Sequence, residues 1–432
     1  MTEDQRPFAN PLLEASDFDS DSCTPLTLCV IPSVDEPVRF AFPALYMELV
    51  RQFDGERTEE EAIDAFLDRH PGSFEREWLR RLVRQSLLPK GVLVHAHQDP
   101  ARVAVSSQPK RAFLYIKLPI FPPSVVDPVA RCLAFMFTWP TLLLGVVIFV
   151  ASHVYVYGAL FQEQRVDFNQ LNAAGILLLL LLSTLGTLCH EFGHASAAAH
   201  YGCRRMTIGW GLYIIYTVLW TNVSEAWRLP RRQRAVIDVG GVYFESIFQL
   251  LTLALYLETG NLVFLFAFLM IDINIVMTAN PFLRMDGYWL MSDLFGIVNL
   301  RQQQTAWLEE IASKLFGGRP PSVRSSLSNR AKWTLGIYSV TGAVFLIYLL
   351  TVIFKFVILN VAGAYPDLLQ QFWRDALAGM TVLELLSGFF EIFWRTLMLL
   401  GATLMLLGLA RSAIRMVTRI GSFKAAVQQS SV

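Results

Sequence analysis

The chain has little of what marks a secreted scaffold or a nucleic-acid-binding protein. Only five of its 432 residues are cysteines, and their spacing fits neither a disulfide framework nor a cysteine-rich zinc module. Its 36 basic and 36 acidic residues give a net charge of zero, which argues against a nucleic-acid partner. The acidic start lacks an apolar core, so no cleaved signal peptide is expected. No internal repeat is evident.

Long apolar runs are what the chain has in abundance. Apolar residues make up 54% of the sequence, and a run of about 20 is enough to cross a bilayer. Basic residues cluster after the second, fourth and sixth runs, so the positive-inside rule predicts that both termini are cytoplasmic. The sequence predicts a mostly α-helical, polytopic membrane bundle of about six spans. They cover about 132–157, 172–194, 235–257, 262–280, 334–360 and 383–410.

The remaining sequence divides into shorter regions. Residues 1–36 are expected to form a flexible lead, and residues 37–97 a small soluble α/β domain of winged-helix type, since three short amphipathic helical patterns precede a strand. Residues 98–131 are rich in proline and predict a linker along the membrane surface. Residues 132–412 would form the transmembrane domain, followed by a cytoplasmic tail over 413–432.

The second apolar run ends in His190-Glu191-Phe192-Gly193-His194. On a helix the two histidines lie one turn apart on one face, so they can share a metal ion. Glu191 lies beside them, where it can take a proton from metal-bound water. Each ionisable group in a span costs about 2.5–3.5 kcal/mol on insertion scales. That cost favours a functional site. The alternative is a patch of polar side chains that only hydrogen-bond one another between helices.

A catalytic zinc site needs a third protein ligand, with one position left for water. Asp286 is the best candidate, where the fourth run meets the cytoplasm. Pro281 breaks the helix and Gly287 frees the backbone, so the carboxylate can be aimed back into the bundle. Asn280 can donate its amide to an oxyanion or to a substrate backbone. The alternative for Asp286 is a solvated carboxylate at a helix end.

Two other residues are weaker candidates for the third ligand. His200 has the spacing of the metzincin motif, but Ala197 replaces the glycine that turns that motif, and six further helical residues rise about 9 Å. His200 is therefore expected to lie at the membrane interface. Glu225 sits among arginines, which favours a salt-bridged surface carboxylate.

These motifs together resemble the intramembrane site-2-protease family of zinc metalloproteases. Its first motif, His-Glu-x-Gly-His-x-x-x-Ala-x-x-x-Gly, and its second, Asn-Pro ahead of Asp-Gly, are both matched within residues 170–300. The resemblance implies that His190, His194 and Asp286 hold Zn²⁺ and that Glu191 is the general base and acid. The matching residues are His190, Glu191, Gly193, His194, Ala198, Gly202, Asn280, Pro281, Asp286 and Gly287.

Within that family, the segment Met285–Asp293 is most similar to the branch of peptide zinc metalloproteases, which is associated with the maturation or export of ribosomally made peptides. The helical pattern of residues 37–97 is similar to leader-peptide-binding domains, which bind by adding a strand to a sheet edge; a scaffold role stays open. The resemblance thus implies a peptide or membrane-protein substrate, exporter components as partners, and a bacterial inner membrane. Gly240–Glu245 departs from the family's Ala-Gly-Pro-x-x-Asn pattern, and no PDZ-like insert is visible.

Polar and strand-like features near the motifs leave alternatives open. Residues 207–221 are rich in aromatic and β-branched types, which predicts a membrane-embedded β hairpin that could hold a peptide; an interfacial aromatic belt explains them equally well. Asp272 and Asn274 either line a water path to the metal or bond neighbouring helices.

The sequence therefore predicts a membrane-embedded zinc metalloprotease that hydrolyses a peptide bond. The rival is a non-proteolytic export or chaperone subunit that retains a zinc site, and the intact Glu191 argues against it. A zinc transporter is disfavoured, because no histidine-rich loop exists.

Overall fold

The computed structural model describes residues 6–32, 37–102, 116–160, 171–213, 216–316, 327–379 and 381–429. The chain is mostly helical, with three small sheets among the described residues. It divides into two compact units, Met1–Val298 with Ser326–Ala331, and Asn299–Ser325 with Lys332–Val432. The first unit contains all of the motifs described above.

The first unit begins with a small α/β domain, as predicted. Strand β1 pairs antiparallel with β5, and β2, β3 and β4 form an antiparallel sheet in that order. Leu49, Phe53, Ile63, Phe66 and Leu79 are fully buried between these elements and the three helices. The elements are β1 (Pro7–Ala9), β2 (Glu14–Phe18), β3 (Leu26–Ile31), β4 (Val38–Pro43), α1 (Leu45–Val50), α2 (Glu59–Arg69), α3 (Arg76–Leu82) and β5 (Leu93–His95).

The expected flexible lead over residues 1–36 is wrong for its described part. Residues 7–31 contribute β1, β2 and β3, and Leu28, Cys29 and Ile31 are fully buried. The expected linker over 98–131 also contains regular structure, a strand β6 (Ile116–Phe121) and a helix α4 (Pro123–Leu133). Residues 1–5, 33–36 and 103–115 lie outside the described residues.

Five helical segments of the described chain are long and apolar enough to cross a membrane. In the first unit they are Trp139–Leu160, Ala174–His200 and Arg231–Thr259. A further apolar helix, Leu262–Thr278, has 17 residues and is shorter, so the count of six spans stays a prediction. The helices of this part are α5 (Trp139–Tyr155), α6 (Ala173–His200), α7 (Arg231–Thr259), α8 (Leu262–Thr278) and α9 (Asp286–Phe295).

A three-stranded antiparallel sheet lies beside α6. Strands β7 (Ile208–Tyr213) and β8 (Tyr216–Thr221) pair along their whole length, and β6 pairs with the other edge of β7. The sequence predicted the two strands, while their position in the membrane stays a prediction. Residues 214–215 lie outside the described residues.

Helices α6 and α7 cross in backbone contact. A Cβ atom added at Gly193 would lie 2.1 Å from the Gly240 carbonyl oxygen, and one at Gly240 would lie 2.8 Å from the Gly193 oxygen. Real Cβ atoms essentially never come that close, so both positions require glycine. The crossing brings the motif residues of α6 against the middle of α7.

Arg234 of α7 links the N-terminal domain to α9. Arg234, 4% exposed, donates to Asp293 Oδ1 at 2.8 Å and to the Asp19 carbonyl at 3.1 Å. Its guanidinium also stacks over the Phe18 ring, 4.5 Å from the centroid. Where α9 ends, the Gly296 carbonyl accepts the Asp21 amide at 2.9 Å. Phe18 of β2 therefore contacts α7, and the turn after β2 contacts the end of the helix that begins at Asp286.

The second unit is built mainly from four helices. They are α10 (Leu300–Phe316), α11 (Asn329–Val352), α12 (Ala362–Ala378) and α13 (Val382–Gln429). The helical segments Asn329–Ala378 and Ser387–Gly408 have the length and apolar composition of spans. Helix α13 continues through Gln429, so residues 413–429 of the expected tail are helical.

Candidate metal centre

The two motif histidines face one point near the end of α6. Their Nε2 atoms lie 3.1 Å apart, and both side chains are buried. This follows from the helix period, since residues four apart project from the same face. The helix continues without a break to His200 and is closed by Gly202, whose φ is +84°.

Asp286, the predicted third ligand, lies beside both histidines. Its Oδ2 atom lies 2.7 Å from His190 Nε2 and 3.3 Å from His194 Nε2. It is the first residue of α9, which follows the turn that begins at Asn280. A Cβ atom at Gly287 would lie 2.1 Å from the Ala279 carbonyl oxygen. Only glycine there lets the start of α9 fold back onto the end of α8 and aim the carboxylate inward.

The atom opposite each Nδ1 shows which nitrogen of each imidazole carries the proton. His190 Nδ1 lies 3.0 Å from Glu245 Oε2, and His194 Nδ1 lies 2.7 Å from the Ile237 carbonyl oxygen. Because both partners are acceptors, each Nδ1 carries a proton that it donates. Metal-bound histidines have such a partner on the ring nitrogen that does not bind the metal. Two Nε2 atoms and one carboxylate therefore converge, an arrangement that a cation or a shared proton stabilises.

Two of the three separations between these atoms are close to those in a tetrahedral zinc site, and the third, from Asp286 Oδ2 to His190 Nε2, is as short as a hydrogen bond. Zn–N bonds of about 2.0–2.1 Å in a tetrahedral site place neighbouring ligand atoms about 3.3 Å apart. The observed separations are 2.7, 3.1 and 3.3 Å. Two imidazoles with one carboxylate are also a ligand set of catalytic zinc sites.

Only glycine at residue 241 leaves the position beside both Nε2 atoms, called the cradle here, free of a side chain. A Cβ atom at Gly241 would lie 2.4 Å from His190 Nε2 and 2.5 Å from His194 Nε2. Any larger residue would thus fill the position that a shared ligand of both rings must take. The Gly240-Gly241 pair, a departure from the family pattern, permits both the close helix crossing and this cradle.

The chain was also compared with known proteins. No protein-family model, curated protein or solved structure matches it. The site-2-protease resemblance therefore stays a prediction.

The Asp286 carboxyl is ionised in this environment. Burial raises its pKa, but the charge on His194 and hydrogen bonds with both imidazoles outweigh burial and hold the pKa well below its usual range. An ionised carboxylate is the form that binds a metal.

Glu191 is held beside the histidine pair by a residue of β8. Its side chain is 8% exposed, and its Oε2 atom accepts a hydrogen bond from Thr221 Oγ1 at 2.6 Å. Thr221 also donates to the Glu191 carbonyl oxygen at 3.1 Å. One strand of the sheet therefore fixes the orientation of the predicted general base.

Asn280 forms the turn that leads to Asp286. Its Oδ1 atom accepts the Phe282 amide at 2.9 Å, and its backbone carbonyl carbon lies 2.8 Å from where a Cβ of Gly287 would be. Asn280 thus shapes the turn, and its predicted role toward an oxyanion stays a prediction.

The weaker candidates make other contacts in the described structure. His200 Nδ1 donates to the Ala134 carbonyl oxygen at 3.1 Å, and Glu225 accepts the Arg204 amide at 2.6 Å. The α-helix runs unbroken through Ala197, so the turn that the metzincin arrangement needs is missing there.

The alternatives for Asp272 and Asn274 resolve toward bonds between helices. Asp272 pairs with His153 of α5 at 2.8 Å and accepts Gln249 of α7 at 2.5 Å, while Asn274 donates to Glu245 at 2.6 Å.

Sequence reasoning missed the supporting residues Thr221, Gly241 and Glu245. The available signal for Glu245 was a carboxylate within an apolar helix, which is costly without a partner.

Proposed function

We propose that this chain is a membrane-embedded zinc metallopeptidase. The convergence of His190 Nε2, His194 Nε2 and Asp286 Oδ2 beside the buried Glu191 carboxylate supports this function most directly. Its substrate would be a ribosomally made or membrane-associated peptide, cleaved during maturation or export. The enzyme would act in a bacterial inner membrane with both termini in the cytoplasm, since basic residues follow alternate apolar runs.

The ligand set assigns a role to each residue of the centre. His190, His194 and Asp286 would hold the zinc, each with a partner that fixes its orientation or charge state. Bound there, zinc supplies Lewis acidity, which polarises a carbonyl and lowers the pKa of a water toward about 7.

Glu191 carries the proton transfers. Because Thr221 occupies Oε2, the Oε1 atom is the one assigned to accept a proton from the attacking water. The same atom then returns the proton to the leaving amine, which completes hydrolysis of the amide. Burial of the carboxylate keeps bulk water from competing for this proton.

The sheet beside α6 provides a place for an extended substrate. Strand β8 is an edge of the described sheet and carries Thr221, the residue that contacts Glu191. A peptide added along this edge would hydrogen-bond through its backbone and run toward the general base. Cleavage of an extended peptide needs both a strand edge that binds its backbone and a general base beside the bond to be broken.

The test compares wild type with Glu191→Gln, using the peptide encoded by a neighbouring gene as the co-expressed probe. Mass spectrometry of the peptide ends measures cleavage, and metal analysis measures zinc. Glu191→Gln should keep zinc and lose about 10²- to 10⁴-fold in cleavage rate. The matched control is Glu225→Gln, which changes a carboxylate outside the centre and should cleave normally.

Equal cleavage by wild type and zinc-loaded Glu191→Gln would contradict the role of Glu191. Zinc binding in both, without cleavage in either, would favour the export or chaperone subunit.

A further inference from the structure

A second buried carboxylate lies in the bundle, on the side of His190 away from Asp286. Glu245 of α7 is 1% exposed, within a helix long and apolar enough to span a membrane. An unpaired charge at such a place is expensive, so ionisable residues there have specific partners. Its partners therefore indicate what it does.

Both oxygens of this carboxylate are used. Oε2 accepts the Nδ1 proton of His190 at 3.0 Å, and Oε1 accepts the side-chain amide of Asn274 at 2.6 Å. These three residues come from α6, α7 and α8. The amide holds the carboxylate in place, and the carboxylate holds the imidazole.

We propose that Glu245, held by Asn274, is a positioning residue for the metal through His190. It keeps the proton on Nδ1, so that the Nε2 lone pair faces the cradle beside Gly241. Its negative charge also raises the basicity of the ring and strengthens the bond to a cation. This inference rests on the proposed zinc site, but it does not need peptidase activity.

The two histidine ligands are supported differently. His194 donates to a neutral backbone carbonyl, that of Ile237, whereas His190 donates to a carboxylate. Charge-assisted hydrogen bonds are about twice as strong as neutral ones. Removing the charge at Glu245 should therefore weaken metal binding and change the electronic environment of the ion.

Gln249, one turn further along α7, provides a matched control. It is also 1% exposed and ties α7 to α8, donating to the Phe268 carbonyl at 3.1 Å and to Asp272 at 2.5 Å. Its side-chain hydrogen bonds to Phe268 and Asp272 involve neither histidine ligand. If Glu245 served only to join helices, losing either residue would have the same effect on the metal.

The experiment measures zinc affinity of the full chain in detergent by competition with a chromophoric chelator. The variants are Glu245→Ala, Glu245→Gln and Gln249→Leu. Glu245→Ala should weaken zinc binding by about 10- to 100-fold. Glu245→Gln is close in shape and still accepts the Nδ1 proton, so its loss should be smaller. Gln249→Leu should stay within about twofold of wild type, because it leaves the imidazole support intact.

Cobalt substitution gives a second readout. The visible spectrum of bound Co²⁺ should shift in Glu245→Gln and stay unchanged in Gln249→Leu. Wild-type affinity in Glu245→Ala, or equal losses in Glu245→Ala and Gln249→Leu, would overturn the proposal. A wild-type chain that binds no zinc would also overturn it. Zinc binding with the expected variant pattern but without peptide cleavage would support it and refute only the peptidase function.

Discussion

Replacing Gly241 by alanine should separate metal binding from folding. The new Cβ atom would lie 2.4 Å from His190 Nε2 and 2.5 Å from His194 Nε2. Both values are about 1 Å shorter than a normal packing contact of about 3.5 Å. The rings or the helix must therefore move, whereas zinc–ligand distances tolerate only about 0.2 Å.

The size of the effect follows from the cost of overpacking. Forcing one extra methyl group into a packed interior costs about 1–3 kcal/mol. If metal binding must meet that cost, the zinc affinity falls by about 5- to 150-fold at 1.4 kcal/mol for each factor of ten. Helix propensity acts in the opposite direction, since alanine stabilises a helix interior by about 0.5–1 kcal/mol relative to glycine. This gain offsets part of the overpacking cost in folding but not in metal binding. Gly241→Ala should therefore weaken zinc binding by more free energy than it removes from the stability of the fold.

Chelator competition measures the affinity, and a thermal melt in detergent monitors the fold. The matched control is Gly408→Ala in α13, where an added Cβ has nothing within 4 Å. It should leave the zinc affinity unchanged, while the higher helix propensity of alanine should raise the thermal stability slightly. Zinc binding by Gly241→Ala with wild-type affinity would refute the position assigned to the ion.

Two further predictions concern the surroundings of the centre. Thr221→Val removes the 2.6 Å bond to Glu191 and should slow peptide cleavage by about 10- to 100-fold, since hydrogen bonds to charged groups are worth about 1.5–3 kcal/mol. Thr221→Ser should retain the rate, and equal rates in serine and valine variants would contradict the positioning role. Burial raises the pKa of the Cys203 thiol to about 11, so the unreactive thiol form prevails at neutral pH. In variants that keep only one cysteine, maleimide should label the exposed Cys23 faster than Cys203. The difference between the two labelling rates should shrink as the pH rises. Equal rates at neutral pH would show that the loop after α6 is open.

The histidine pair on α6 was predictable because the helix period alone fixes its geometry. Residues 190 and 194 share a face wherever the helix packs, and an apolar run makes charged residues stand out. Asp286 lies 96 residues from His190, and its prediction depended on Pro281 and Gly287 breaking and freeing the backbone. The structure places those residues together for these physical reasons.

The supporting residues were beyond sequence reasoning because tertiary packing creates their roles. Thr221 reaches Glu191 only because β8 lies against α6, and Gly241 forms a cradle only because α6 and α7 cross at Gly193 and Gly240. No local pattern encodes either contact.

The N-terminal strands were missed for a different reason. Strand β2, Glu14–Phe18, is largely exposed and polar apart from its last residue, so it shows little of the alternation that marks a strand. Its pairing with β3 and its contact with Arg234 stabilise it instead. The strand β6 contains Pro119, a residue that removes a ladder donor and suggested a linker.

Metal analysis of the purified full chain tests the central claim most directly. Wild type should carry one zinc ion per chain, and His190→Ala, His194→Ala and Asp286→Ala should each lose it. Glu225→Gln, a carboxylate change outside the centre, should keep it. Zinc retained at the wild-type level in all three ligand variants, or a wild type that binds none, would contradict a metal centre built from α6 and the start of α9.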